Sequence, residues 1–79
     1  MQRVIKSSKG HAIYIGKYIH YKGNTYNVIG LCKHTETAEE LVYYQALYGN
    51  YEFWVRPIEM FVSDIDFEGK IVPRFSFIE

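Results

Sequence analysis

Three glycine-centred breaks dictate what this chain can fold into. Lys22-Gly23-Asn24 separates GKYIHY from TYNVIGLCK, Gly49-Asn50 separates ELVYYQALY from YEFWV, and Glu68-Gly69-Lys70 separates VSDIDF from IVPRFSFI. The flanking runs are short, β-branched and aromatic, with partial two-residue alternation, which is the pattern of strands joined by tight turns. Pro57 closes the run ending in Trp54-Val55-Arg56, because proline brings no N–H to a ladder. It also suits the start of a single helical turn over Ile58, Glu59, Met60 and Phe61. Pro73 is read as opening the last strand. The expectation is an all-β fold: a small barrel or roll of five or six antiparallel strands with one short helical turn, and with Trp54, Val55 and Phe61 near its core.

The stretch His34 to Tyr44, HTETAEELVYY, tests this reading. Thr37-x-x-Glu40 has the form of a capping box, so a short helix could begin there. LVYYQALY, however, shows no helix-period polar face and runs into the Gly49-Asn50 turn. A loop feeding a strand is therefore expected, braced by local hydrogen bonds from its Thr and Glu side chains. In TYNVIGLCK, strict alternation puts Tyr26, Val28, Gly30 and Cys32 on one face and Thr25, Asn27, Ile29, Leu31 and Lys33 on the other. Both faces are partly apolar, and Gly30 marks a bulge or close approach in a bent strand.

At 79 residues the chain holds one domain, and its eight Tyr, five Phe and one Trp supply much of the buried area that so short a chain needs. A single cysteine, Cys32, excludes an intramolecular disulfide. With neither a signal peptide nor a membrane-length apolar run, this points to a cytoplasmic, soluble protein. The formal net charge of zero argues against a domain-wide nucleic-acid footprint. The charges are nevertheless segregated: every acid lies at or after Glu36, while Arg3, Lys6, Lys9, Lys17, Lys22, Lys33 and all the histidines precede it.

The segments GKYIHYKGNTYNVIGLCKHTETAEELVYYQALYG, WVRPIEMF and GKIVPRF, taken in order, resemble a bacterial family, domain of unknown function 1653 (DUF1653). Its pattern runs G-x-Y-x-H-Y-K-G, Y-x-V, H-[ST]-E-T, V-x-Y-x-x-L-Y, W-x-R-P-x-x-M-F and G-x-x-x-x-R-F. The likeness extends from Gly16 to Phe75. It implies an SH3-like β-barrel and no activity. Residues 16–79 are accordingly read as the single domain, and residues 1–15 as an N-terminal extension able to add an edge strand.

The candidate ligand-binding residues are His20, His34, Thr35, Glu36, Thr37, Arg56 and Arg74. His34 to Thr37 offer a titratable ring, hydroxyls and a carboxylate in one loop. Arg56 and Arg74 sit beside prolines and aromatics, and such rigidly based guanidiniums grip phosphate or carboxylate in two-pronged fashion. The bland alternative has Glu36 pairing with one arginine and the histidines packing as aromatics. Cys32-x-His34 is too little for a metal site, no cofactor is implied, and no serine stands in a nucleophile context. The favoured reading is a noncatalytic binding module for an anionic small molecule, a nucleic acid or a peptide, its groove lined by Tyr and Arg. The alternatives are a small enzyme with His34 as base, Glu36 as its orienter and Arg56 as anion clamp, and an accessory protein that forms a homodimer through a strand edge.

Overall fold

The computed structural model describes residues 3–79 and is an all-β fold. Its centre is a five-stranded antiparallel sheet built from β3 (Gly16–His20), β4 (Thr25–Lys33), β5 (Glu40–Ala46), β6 (Phe53–Pro57) and β9 (Phe75–Phe77), in the order β6-β5-β4-β3-β9. The sheet is open, with β6 and β9 at its edges. Two small hairpins accompany it: β1 (Val4–Lys6) with β2 (Ala12–Tyr14), and β7 (Asp64–Phe67) with β8 (Lys70–Pro73). One helical turn, α1 (Ile58–Phe61), follows β6 directly, with Pro57 as its N-cap residue.

All three glycine breaks are turns between paired strands. At the third, Glu68 (φ 53°) and Gly69 (φ 82°) both adopt the left-handed conformation, the backbone twist that matches a two-residue hairpin. HTETAEELVYY resolves into a loop and then β5, as the lack of a helical polar face implied. Residues 3–15 form a hairpin of their own: β1 and β2 pair with each other through a turn in which the Ser7 N–H donates to the His11 carbonyl at 2.8 Å. Ile13 and Ile5 then pack on the core from this hairpin. Pro73 ends β8 rather than opening β9, and Arg74 occupies the bend between them.

The mixed polarity of β4 has a definite cause. Its register against β5 shifts between Val28 and Gly30, so Ile29 is the extra residue of a bulge. Beyond the bulge the strand changes parity: Tyr26 and Val28 face the core before it, and Leu31 does so after it. The core gathers Tyr18, Val28, Val42, Tyr44, Ile58, Phe61 and Phe75. Phe61, 2% exposed, stacks on Phe75 with centroids 4.2 Å apart, so α1 packs against the core side of the sheet. Trp54 and Val55 depart from expectation. They are 50% and 51% exposed, because β6 is an edge strand with a neighbour on one side only.

Candidate functional site

Alternation along β6 sets Trp54 and Arg56 on one face, and the pairing of Trp54 with Tyr44 and of Arg56 with Val42 directs that face over the core. Tyr26 of β4 stands beside Tyr44 with its ring edge-on at 5.4 Å. Tyr48, from the turn after β5, reaches back so that its hydroxyl lies 2.8 Å from that of Tyr26. The result is a groove of about 270 Å³ lined by Tyr26, Tyr44, Tyr48, Trp54, Val55 and Arg56. No carboxylate is part of that lining. Burial first, and then the bond to Tyr48, push the Tyr26 phenol up to about 12, so it remains a neutral hydroxyl at any physiological pH.

Arg56 is anchored from inside the groove. Its Nε donates to the Tyr44 hydroxyl at 3.3 Å, and its guanidinium lies 5.6 Å from the Phe75 ring centroid. Arg74 is held by its backbone: its N–H donates to the Ser63 carbonyl at 3.0 Å, and its carbonyl accepts from Tyr21 at 3.0 Å. Its Nε also donates to the Ser63 hydroxyl at 3.2 Å. The ion pairs among the described residues are Lys9–Glu59 and Lys17–Glu79, so neither arginine is neutralised by a carboxylate. Both keep the outer part of the guanidinium for other acceptors.

His20, at the end of β3, joins the two arginines. Its ring packs against Tyr21 at 4.4 Å and edge-on to Phe75 at 4.9 Å. Its Nδ1 accepts from the Lys22 backbone N–H at 3.2 Å, which puts the ring proton of the neutral form on Nε2. Burial holds its pKa below the ordinary value, helped by the positive charges of Arg56, Arg74 and Lys22. His20 is therefore neutral at pH 7, and the positive charge in the groove lining is that of Arg56.

The other four candidates stand apart. His34, Thr35, Glu36 and Thr37 are all exposed, in a loop beyond the Lys33 end of β4, about 20 Å along that strand from Tyr26 at the usual rise per residue. Their hydrogen bonds are local: His34 Nδ1 accepts from the Glu36 N–H at 3.1 Å, Thr37 Oγ1 from the Glu39 N–H at 3.2 Å, and the His34 carbonyl from the Ala38 N–H at 2.9 Å. Glu36 makes no ion pair with Arg56 or Arg74 and does not orient the His34 ring through its carboxylate. The capping box is not formed either. The Glu40 carboxylate instead accepts from the Ser8 hydroxyl at 2.6 Å and from the Ser8 N–H, tying the first hairpin to β5.

A second depression, of about 330 Å³, lies between this loop and the first hairpin and is lined by Ser8, Lys9, Lys33, Glu40 and Glu59 among others. Two of its carboxylates are already engaged, Glu40 by Ser8 and Glu59 by the 2.7 Å pair with Lys9. It is a seam between elements, with carboxylates in its lining. Of the sequence candidates, Arg56 lines the groove, His20 packs on the same Phe75 ring, and Arg74 is near enough for its charge to act on His20; the lining also includes Tyr26, Tyr48 and Trp54. The signal for Trp54 was its two-residue spacing from Arg56, which on a strand means a shared face.

A family model described as a protein of unknown function, DUF1653, matches residues 16–77, a span that includes every residue of the groove. Among solved structures, the fold is similar to the crystal structure of a DUF1653 protein from Bordetella bronchiseptica. The TM-score is 0.78 and the identity 31%, over 84% of this chain and 87% of that one. No curated protein matches the chain.

Proposed function

The chain belongs to the DUF1653 family, and from the chemistry of its groove we propose that it is a noncatalytic binding module for an anionic ligand with a planar or extended body. The observation that carries this reading is Arg56: a half-buried guanidinium with no carboxylate partner, held at the floor of an open groove beside an exposed Trp54. A cation so placed without a protein counterion is set up to accept phosphate or carboxylate oxygens, and the Trp54 and Tyr48 rings offer faces on which a base or ring can stack.

Size and charge narrow the ligand. A groove of about 270 Å³ is at or below the usual range for small-molecule sites, roughly 300–1,000 Å³, so it takes one ring and one anionic group rather than a large molecule. Zero net charge leaves no long electrostatic track for a polynucleotide. A nucleotide, free or as one unit of a single strand, fits these limits best, and an acidic peptide is the other form that the shared anion chemistry allows. The exposed position of His34 and Glu36 in a separate loop, without a hydrogen bond between their side chains, favours the binding reading over the enzyme with His34 as base.

The test is an amide chemical-shift titration of the whole chain with a nucleoside diphosphate, a trinucleotide and an acidic peptide at low salt. Shifts centred on His20, Tyr48, Trp54 and Arg56 are expected. Shifts centred on Ser8, Lys9 and Lys33 instead would transfer the site to the seam beside the first hairpin.

A further inference from the structure

The edge strand β6 carries a second feature, its unpaired backbone edge, which adjoins the groove through Trp54 and Arg56. Ala46 donates its N–H to the Glu52 carbonyl at 2.9 Å, which makes Ala46–Glu52 a hydrogen-bonded pair. By antiparallel alternation, Tyr44–Trp54 and Val42–Arg56 are hydrogen-bonded pairs too. The N–H and C=O groups of Phe53 and Val55 therefore point away from β5, toward the open edge. Their side chains lie on the outer face with Tyr43, whose ring stacks on Phe53 at 5.8 Å. Phe53, Trp54 and Val55 are 55%, 50% and 51% exposed. The edge is lightly guarded: β6 contains no lysine or acid, its one charge, Arg56, lies on the groove face, and its only proline is its last residue.

We propose that β6 is a self-association edge, at which a second copy of the chain adds its own β6 antiparallel about a two-fold axis through Val55. The sequence Phe53-Trp54-Val55-Arg56-Pro57 is self-complementary in that register. Val55 meets its counterpart in a hydrogen-bonded pair, with both N–H···O bonds made between the two valines. Trp54 of each copy falls directly opposite Arg56 of the other on the groove face, a cation–π pairing in close cross-strand contact. On the outer face, Phe53 and Val55 of both copies form one continuous apolar strip with the two Tyr43 rings. Self-complementarity argues for a second copy: Arg56 is the strand's one charged side chain, and in this register the partner's Trp54 sets a ring opposite it, while no like charges meet. Pro57, which has no N–H, ends the ladder and keeps it from propagating along the edge. The two-fold operation closes the assembly at two copies, since it consumes the same edge on both. The two grooves then lie side by side across the axis.

The test uses the full chain. Sedimentation velocity over a concentration series should show the weight-average mass rising to twice that of the chain, and Val55→Lys should return it to the monomer. Val55 is half exposed, so this substitution sets two like charges together at the axis without emptying the core, and its melting temperature when monomeric checks that it folds. In a Cys32→Ala background, Val55→Cys should form a symmetric disulfide on mild oxidation, because directly opposed residues in a hydrogen-bonded pair have Cα atoms about 5.5 Å apart, within disulfide reach. Ser76→Cys on the opposite edge serves as control and should not. A chain that stays monomeric at millimolar concentration, or Val55→Cys that oxidises no faster than the control, overturns the proposal. So does a monomer that instead takes an added peptide along β6.

Discussion

The Arg56 guanidinium lies 5.6 Å from the centroid of the Phe75 ring, and Phe75 is stacked flat on Phe61 at 4.2 Å. The cation of the groove thus rests on a two-ring column that belongs to the core, with α1 supplying the inner ring. Stability and the geometry of the site are consequently coupled through Phe61. Phe61→Ala should lose about 3–5 kcal/mol in urea denaturation, the usual cost of emptying a buried aromatic site. Phe61→Leu should lose distinctly less. Equal losses from the two would mean that the column does not act as a packed unit.

At Gly16, the start of β3, φ is +140°, and a Cβ built there would run into the Glu79 carbonyl oxygen. That carbonyl also accepts the Lys17 N–H, and the Lys17 carbonyl accepts the N–H of Ile78, so the C-terminal residues are laid against β3. Gly16→Ala combines backbone strain of about 1–3 kcal/mol with this collision. Gly10→Ala, at φ +89° but with open space around it, bears the strain alone. Thermal melts should therefore place Gly16→Ala below Gly10→Ala. Reversal of that order would contradict the close approach.

His20 gives the fold and the site a shared pH dependence. Its pKa is lowered in the folded state by burial and by Arg56, Arg74 and Lys22. Below pH 6.5 the unfolded chain therefore binds more protons at this position than the folded one. Stability from this group is complete above about pH 6.5 and is lost as the pH falls through the lower folded value. His20→Gln should flatten the acid side of the stability profile. An anion in the groove opposes the arginines' repulsion, so saturating nucleotide should move the His20 imidazole titration upward in an NMR pH series.

The exposed loop from His34 to Thr37 makes a contrasting case. Its bonds are confined to its own backbone, so Thr37→Ala should cost at most about 1 kcal/mol, the net worth of one exposed side-chain hydrogen bond. His34→Ala and Glu36→Gln should leave nucleotide affinity unchanged within a factor of two. A tenfold loss from either would bring this loop into the site.

These contrasts mark what the sequence made legible. The glycine turns and the helical turn after Pro57 were readable because each is dictated by local backbone chemistry. The parity change of β4 was not, since a bulge at Ile29 depends on its partner strand and leaves no local signature beyond the neighbouring Gly30. Glu40 looked like a capping residue because its partner, Ser8, is 32 positions away. Arg56, Arg74 and His20 were recognisable as candidates from residue type. Their meeting, and the exposure of Trp54, follow from strand order: β6 lies at an edge, and β9 brings Phe75 alongside β3.

Trp54 is the chain's one tryptophan and lines the groove beside Arg56, so its fluorescence reports directly on the central claim. The decisive measurement is a titration of that signal with a nucleoside diphosphate and with a trinucleotide at low and moderate salt, on the native chain and on Arg56→Gln. Saturable quenching is expected, with an affinity that weakens as salt rises and falls at least tenfold in Arg56→Gln, while His34→Ala behaves as the native chain does. A Trp54 signal that does not respond to either anion at millimolar concentration, or that responds equally with Arg56 replaced, would contradict an anion-binding groove at β6.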